Sequence, residues 1–178
     1  FFKLLNKSKL NQKSPGFVMN ETIQSGPEVD SGPLGTLLSR DRVAVDVKIS
    51  SKKRMLEEMA ELLSRQLPGM DQQTVFSVLN ERERLGSTGI GDGIALPHGR
   101  LNGISNPIAA AMKLHQPLDF DAIDDKPITI VIGLLVPAEA TDQHLKVLSE
   151  LAGAFSNTDF RKTVFEASSP DALFNLLI

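Results

Sequence analysis

The chain of 178 residues has no cysteine, no tryptophan and no tyrosine. Without a thiol it can form no disulfide, no thiolate metal site and no cysteine nucleophile, and it suits a reducing compartment. Phenylalanine is the only aromatic present, nine times, so the core must be built from Leu, Ile, Val and Ala. A strong excess of either charge is also missing, with a net charge of −3. Nucleic-acid binding would need a clustered basic surface, so no such partner is expected. Long apolar runs are lacking too. The longest, Ile128–Pro137, is about half the ~20 residues of a spanning helix. The N-terminus has no apolar stretch long enough for a secretion signal. A cytoplasmic protein without stable membrane insertion is the expectation.

What is present divides unequally. Residues 1–33 read as a flexible leader, an expression remnant or a disordered tail. Phe1–Met19 carries four lysines and no acid, and Asn20–Pro33 is rich in Gly, Pro, Ser and Thr. A basic amphipathic segment touching a membrane is the alternative for its first part, but Pro15 and Gly16 break it early. Residues 34–178 read as one globular domain.

Within that domain Val43–Ile49 is β-branched and weakly alternating, as in a strand. Met55, Leu56, Met59, Leu62 and Leu63 recur at helical spacing and predict a helix over Ser51–Leu67, ended by Pro68 and Gly69. Asp71 is placed to cap a second helix running to about Leu85. Ile94–Leu96, Ile108–Leu114 and Ile128–Val136 read as strands, the last buried on both faces. Thr141 is expected to cap a helix to Ser156, Asp159–Glu166 to be helical, and Ser169-Pro170 to start a final helix. Helices and strands alternate, so the fold class is α/β: a single domain with a sheet flanked by helices.

The chemistry concentrates between Glu81 and Arg100. Gly86, Gly89, Gly91 and Gly93 fall within eight positions, a density that implies tight turns or close backbone approach. Phosphate-cradling loops run strand, loop, helix, whereas here a helix precedes the loop and a strand follows it. No Gly-Lys-Ser/Thr and no Gly-x-Ser-x-Gly occurs, which excludes a P-loop and a serine-hydrolase elbow. Ser87 and Thr88 are better suited to capping turns than to nucleophilic attack. His98 follows Pro97 just beyond a strand and precedes Gly99, a setting that would present an imidazole outward and let another molecule come close. Arg82, Arg84 and Arg100 are near in sequence, and His144 falls in the first turn of the helix expected after Thr141. A neutral imidazole, guanidinium groups and a helix N-terminus together suit a phosphoryl group. The arginines would also lower the pKa of His98. The three histidines, His98, His115 and His144, form no close ligand pair, so no metal is expected, and no cofactor. His115 reads as an exposed loop residue.

The stretch Gly86-Ser-Thr-Gly-Ile-Gly-Asp-Gly-Ile-Ala-Leu-Pro-His-Gly99 resembles the phosphorylation signature of the fructose/mannitol-type enzyme IIA family of the bacterial phosphotransferase system. Its Gly-Ser-Thr-Gly-Ile-Gly form is most similar to the nitrogen-regulatory branch, enzyme IIA-Ntr or PtsN. The resemblance continues through Phe120–Asp124, Leu134–Pro137 and His144–Ala152, and spans roughly Leu34 to Ile178. It implies a mixed sheet flanked by helices, as in mannitol-type enzyme IIA. It implies that His98 is the phosphorylated histidine, that His144 orients the phosphoryl group and that Arg82 stabilises its charge. It implies an HPr-like phosphocarrier as donor, and regulatory targets such as potassium transporters or sensor kinases. Fused IIB partners in this family use a cysteine, which is absent here, so a free-standing regulatory IIA is expected. Two alternatives remain: a sugar-specific IIA feeding a separate IIB, and a protein-binding regulator that is not phosphorylated.

Overall fold

The computed structural model describes residues 32–178, so all but the end of the expected leader lies outside the described residues. From Gly32 onward the chain is tied to the domain. The Gly32 N–H donates to the Ile178 carbonyl, the Leu34 N–H donates to the Leu177 carbonyl at 2.8 Å, and Leu34 is fully buried.

Strand β1 (Leu38–Val47) starts five residues before the expected Val43. Its Ser39-Arg-Asp-Arg42 opening looks like a polar loop. Such a run is at home here because β1 is an edge strand that pairs only with β5, and its register breaks between Leu38 and Val43. Helix α1 (Lys52–Ser64) is capped by Ser51, whose side chain accepts the Arg54 N–H at 3.2 Å. Helix α2 (Gln72–Arg84) is capped by Asp71, which takes the Thr74 N–H at 2.8 Å. The Asp71 cap is where the sequence put it, whereas Ser51, expected as the first helical residue, is the cap of α1 instead.

The glycine-rich segment is not the open loop that was expected. Gly89–Gly91 (β2) and Ile94–Ala95 (β3) form an antiparallel hairpin turning on Asp92-Gly93. Both turn residues have positive φ, 53° and 78°, as a type I′ hairpin turn requires. Leu96 and Pro97 interrupt the strand, which resumes as β4 (His98–Leu101). Strands β5 (Ile108–Leu118) and β6 (Ile128–Pro137) complete the sheet. Helices α3 (Thr141–Ser156), α4 (Thr158–Glu166) and α5 (Pro170–Leu177) follow.

The six strands form one mixed sheet in the order β1-β5-β6-β3-β2. β3 and β4 lie in succession along the same side of β6, both parallel to it, with Ile94 opposite Ile130 and His98 opposite Leu134. The Leu134 N–H donates to the Pro97 carbonyl at 3.0 Å, so the ladder survives the proline. On one face α1 and α2 bring Met55, Met59, Leu63, Val75 and Leu79 onto Ala110, Met112, Val131 and Leu135. On the other, Leu151, Phe155, Val164 and Leu173 pack on Ala109, Ala111, Ile130, Ile132 and Leu134. β6 therefore sends side chains into two closed cores, and its near-continuous apolar sequence follows from that.

Candidate functional site

His98 is the first residue of β4, at the point where the strand along β6 resumes. Outward presentation of the ring, expected from Pro97 and Gly99, is not what the fold gives, because only 9% of the residue is exposed. Gly99 serves the molecule's own packing. A Cβ there would stand 2.3 Å from Val78 Cγ1, so the missing side chain is what lets α2 lie against β4.

The His98 ring is fixed by one bond. Its Nδ1–H donates to the Leu96 carbonyl at 2.7 Å. A carbonyl can only accept, so Nδ1 carries the proton and Nε2 keeps the free lone pair. Burial holds the His98 pKa below its ordinary value, and the Arg82 guanidinium lowers it further, while the Leu96 bond and the Glu83 carboxylate act the other way. Burial thus outweighs the arginines as the cause of the neutral ring.

His144 comes from the opposite face of the sheet. Helix α3 begins with Thr141 itself and has Ala140 at the capping position, so the expected Thr141 cap is not formed. His144 becomes the fourth helical residue, still within the first turn and a half of α3. Its ring meets that of His98 edge-on, with centroids 5.0 Å apart and planes at 78°. The His144 Nδ1 is buried and has no hydrogen-bond partner among the described residues. Burial comes first in lowering its pKa, followed by repulsion from His98, Arg100 and Arg82.

Arg82 lies in the last turn of α2, and its Nη1 donates to the Gly86 carbonyl at 3.0 Å. His98, His144 and Arg82, distant in sequence, line one cleft of about 710 Å³ together with Arg84, Arg100, Glu81 and Leu85. Three guanidinium groups face one carboxylate there, so the cleft is cationic on a chain whose net charge is −3. Such a cleft attracts an oxyanion. Ser87 serves turn structure, its hydroxyl accepting the Gly89 N–H at 3.1 Å, while Thr88 caps no turn and is tied to α2 instead. The Ser87 hydroxyl donates to the Phe120 carbonyl at 2.8 Å, and the Thr88 hydroxyl donates to buried Glu83. His115 lies away from the cleft. It is exposed as expected, but within β5 rather than a loop, and it pairs with Asp46. Among the described residues, no group of three or more His, Asp or Glu side chains is arranged to hold a metal ion. None of the described helices is long and apolar enough to cross a membrane.

Residues 36–178 match the family described as the phosphoenolpyruvate-dependent sugar phosphotransferase system, EIIA 2. The chain belongs to this family. A nitrogen regulatory protein of Pseudomonas aeruginosa is 43% identical over 145 residues, which cover 82% of this chain and 94% of the relative. The crystal structure of nitrogen regulatory protein IIA-Ntr from Neisseria meningitidis superposes with a TM-score of 0.76 at 40% identity, over 82% of this chain and 99% of that one. The mannitol enzyme IIA of Escherichia coli, solved in complex with phosphorylated enzyme IIB, shares the fold at 20% identity. Its TM-score is 0.65, over 79% of this chain and 96% of that one. This EIIA 2 domain is thus a phosphotransferase component of the nitrogen-regulatory type, with the mixed, helix-flanked sheet of that family.

Two contributors to the EIIA 2 site escaped the sequence reading. One is the Leu96 carbonyl, which no side-chain pattern reveals. The other is Glu83, which looks like an exposed helix-end acid among Arg82 and Arg84 yet has a side chain only 4% exposed. Its one sequence signal is its position four residues beyond Leu79 and eight beyond Val75, on the buried face of α2.

Proposed function

We propose that this domain is a cytoplasmic phosphorelay protein that accepts a phosphoryl group on His98 Nε2 from an HPr-like phosphocarrier. The observation that carries the reading is the Nδ1–H bond from His98 to the Leu96 carbonyl at 2.7 Å, which leaves Nε2 as the nucleophile. The Nε2 lone pair attacks the phosphorus of a phosphohistidine on the carrier. The carrier's P–N bond breaks, its imidazole leaves with the electron pair, and a new P–N bond forms on His98. The carrier's ring, protonated on its other nitrogen, leaves as a neutral imidazole, and the His98 ring keeps its Nδ1 proton, so protons balance without an external acid. The transition state is loose, so positioning and charge stabilisation supply most of the acceleration. Arg82 offers a fork of donors to the phosphoryl oxygens, and a neutral His144 ring, 5.0 Å away centroid to centroid, offers one N–H. The transfer requires no metal and no cofactor.

The phosphorylated and free forms would then be read by regulatory partners, which the similarity to nitrogen regulatory proteins supports. Membrane potassium transporters and sensor kinases are the kinds of target proposed. The test is incubation of the wild-type protein and His98→Ala with the phosphorylated carrier, followed by intact-mass measurement. The wild type should gain one phosphoryl mass and His98→Ala none. Equal gain by both would remove His98 from the reaction, and no gain by either would favour a regulator that binds without being phosphorylated.

A further inference from the structure

Glu83 is not among the residues that line the cleft. It is nonetheless the most heavily bonded acid of the domain. Its Oε1 pairs with Lys52 Nζ at 2.9 Å, the Glu83 side chain buried at 4% exposure and that of Lys52 half-buried at 28%. Its carboxylate also accepts the Thr88 N–H at 3.1 Å and the Thr88 hydroxyl at 2.5 Å. Lys52 is anchored in turn. Its Nζ donates to the Phe120 carbonyl and pairs with Asp121, each at 3.2 Å, and lies 4.5 Å over the Phe120 ring.

Thr88 connects this cluster to the site. The Thr88 carbonyl accepts the Leu96 N–H at 2.9 Å, and the Leu96 carbonyl accepts the His98 Nδ1–H at 2.7 Å. An unbroken series of bonds therefore runs from Lys52 through Glu83, Thr88 and Leu96 to the imidazole. Glu83 is also the neighbour of Arg82, and its own carbonyl accepts the Gly86 N–H at 3.2 Å, while the Gly86 carbonyl holds Arg82. Fixing Glu83 fixes both the end of α2 and the start of the hairpin. An ion pair with one buried partner is weak evidence for added stability, since apolar packing serves as well. What it provides is a defined geometry for every group it binds.

On the reading that His98 is the phosphoryl acceptor, we infer that the Lys52–Glu83–Thr88 cluster is the positioning device that holds His98 in its Nδ1–H tautomer and Arg82 at the cleft. Glu83 and Thr88 are positioning residues, acting through the Leu96 carbonyl and the end of α2. Loosening either lets the Leu96 carbonyl drift, and the imidazole then samples the tautomer whose Nε2 is protonated and cannot attack.

The experiment compares Glu83→Gln, Thr88→Val and Thr88→Ser with the wild-type full chain. One readout is the ¹⁵N spectrum of the His98 imidazole, which distinguishes the two tautomers without any phosphate present. The other is the rate of phosphoryl gain from the phosphorylated carrier. Folding is checked by circular dichroism, and if Glu83→Gln does not fold, the Thr88 pair decides. Glu83→Gln and Thr88→Val should show mixed tautomers and transfer about tenfold slower or more, the scale on which small misplacements act. Thr88→Ser, which keeps the hydroxyl, should recover most of both. Folded variants with the wild-type tautomer would overturn the inference, whatever their rates, because slowing would then not pass through the imidazole. Failure of the phosphohistidine reading is recognised separately, by phosphoryl gain in His98→Ala.

Discussion

The imidazole of His98 sits in a place that penalises its protonation, by burial first and by the Arg82 guanidinium next. An unfolded chain would titrate this ring near the ordinary value of about 6.5. The folded chain takes up the proton only at lower pH. Stability from this group is therefore fully present above about 6.5 and is lost as pH falls from there towards the folded value, because the unfolded state binds the proton first. His144 is shifted in the same direction and adds to the same window. Urea midpoints measured near pH 7.5 and near pH 5.5 should fall for the wild type, and fall less for His98→Gln. An equal fall in both would mean that His98 is not the source. Also at this scale, His144→Ala should slow phosphoryl transfer on the order of a hundredfold, the usual loss for a preorganised donor, while leaving the circular dichroism spectrum unchanged. Arg82→Lys should remain slowed, though less than Arg82→Ala, since an ammonium is a point charge where the guanidinium is a fork. Stopped-flow transfer rates check both, and wild-type rates would contradict the assigned roles.

The site depends on how closely α2 approaches β4. That approach rests on Gly99, since a Cβ there would fall 2.3 Å from Val78 Cγ1. Gly99→Ala should destabilise the domain by about 1–3 kcal/mol, the usual cost of overpacking. Val78→Ala added to it should restore much of the loss, and chemical denaturation of the two variants checks this. The elements themselves were largely legible in the sequence. Asp71 and Ser169 cap their helices as expected, because a cap is a local bond between a side chain and an N–H three residues on. The hairpin at Asp92-Gly93 was also within reach, since an Asp-Gly pair is a hairpin signal, but four glycines around it read as a loop. β4 was not legible. After the two intervening residues Leu96 and Pro97 the chain resumes its pairing only because β6 is long enough to receive it, and that is a tertiary fact. The burial of His98 and of Glu83 was hidden for the same reason, since it depends on which surfaces α2 and the hairpin bring together.

The rim of the cationic cleft also carries exposed apolar surface. Leu85 lines the cleft and is 85% exposed, and Leu145, next to His144, is 68% exposed. On the proposed relay a carrier places its own histidine in line with His98, so Leu85, on the cleft wall, stands where it would dock. Leu85→Ser should raise the KM for the phosphorylated carrier several-fold with little change in the maximal rate, as expected for a contact made equally in the bound and transition states. A regulatory partner using the same apolar rim would compete with the carrier. It would also be repelled once phosphorylation adds roughly two negative charges at its centre. Wild-type protein and His98→Ala should then recover that partner from a bacterial lysate, and His98→Asp should not. The central claim, that Nε2 of His98 carries the phosphoryl group because Nδ1 is held by Leu96, has its most direct test in long-range ¹H–¹⁵N correlation of the phosphorylated, ¹⁵N-labelled protein. The phosphorus coupling should appear on the Nε2 of His98, with the proton retained on Nδ1. A phosphoryl group on Nδ1, or on His144, would contradict it.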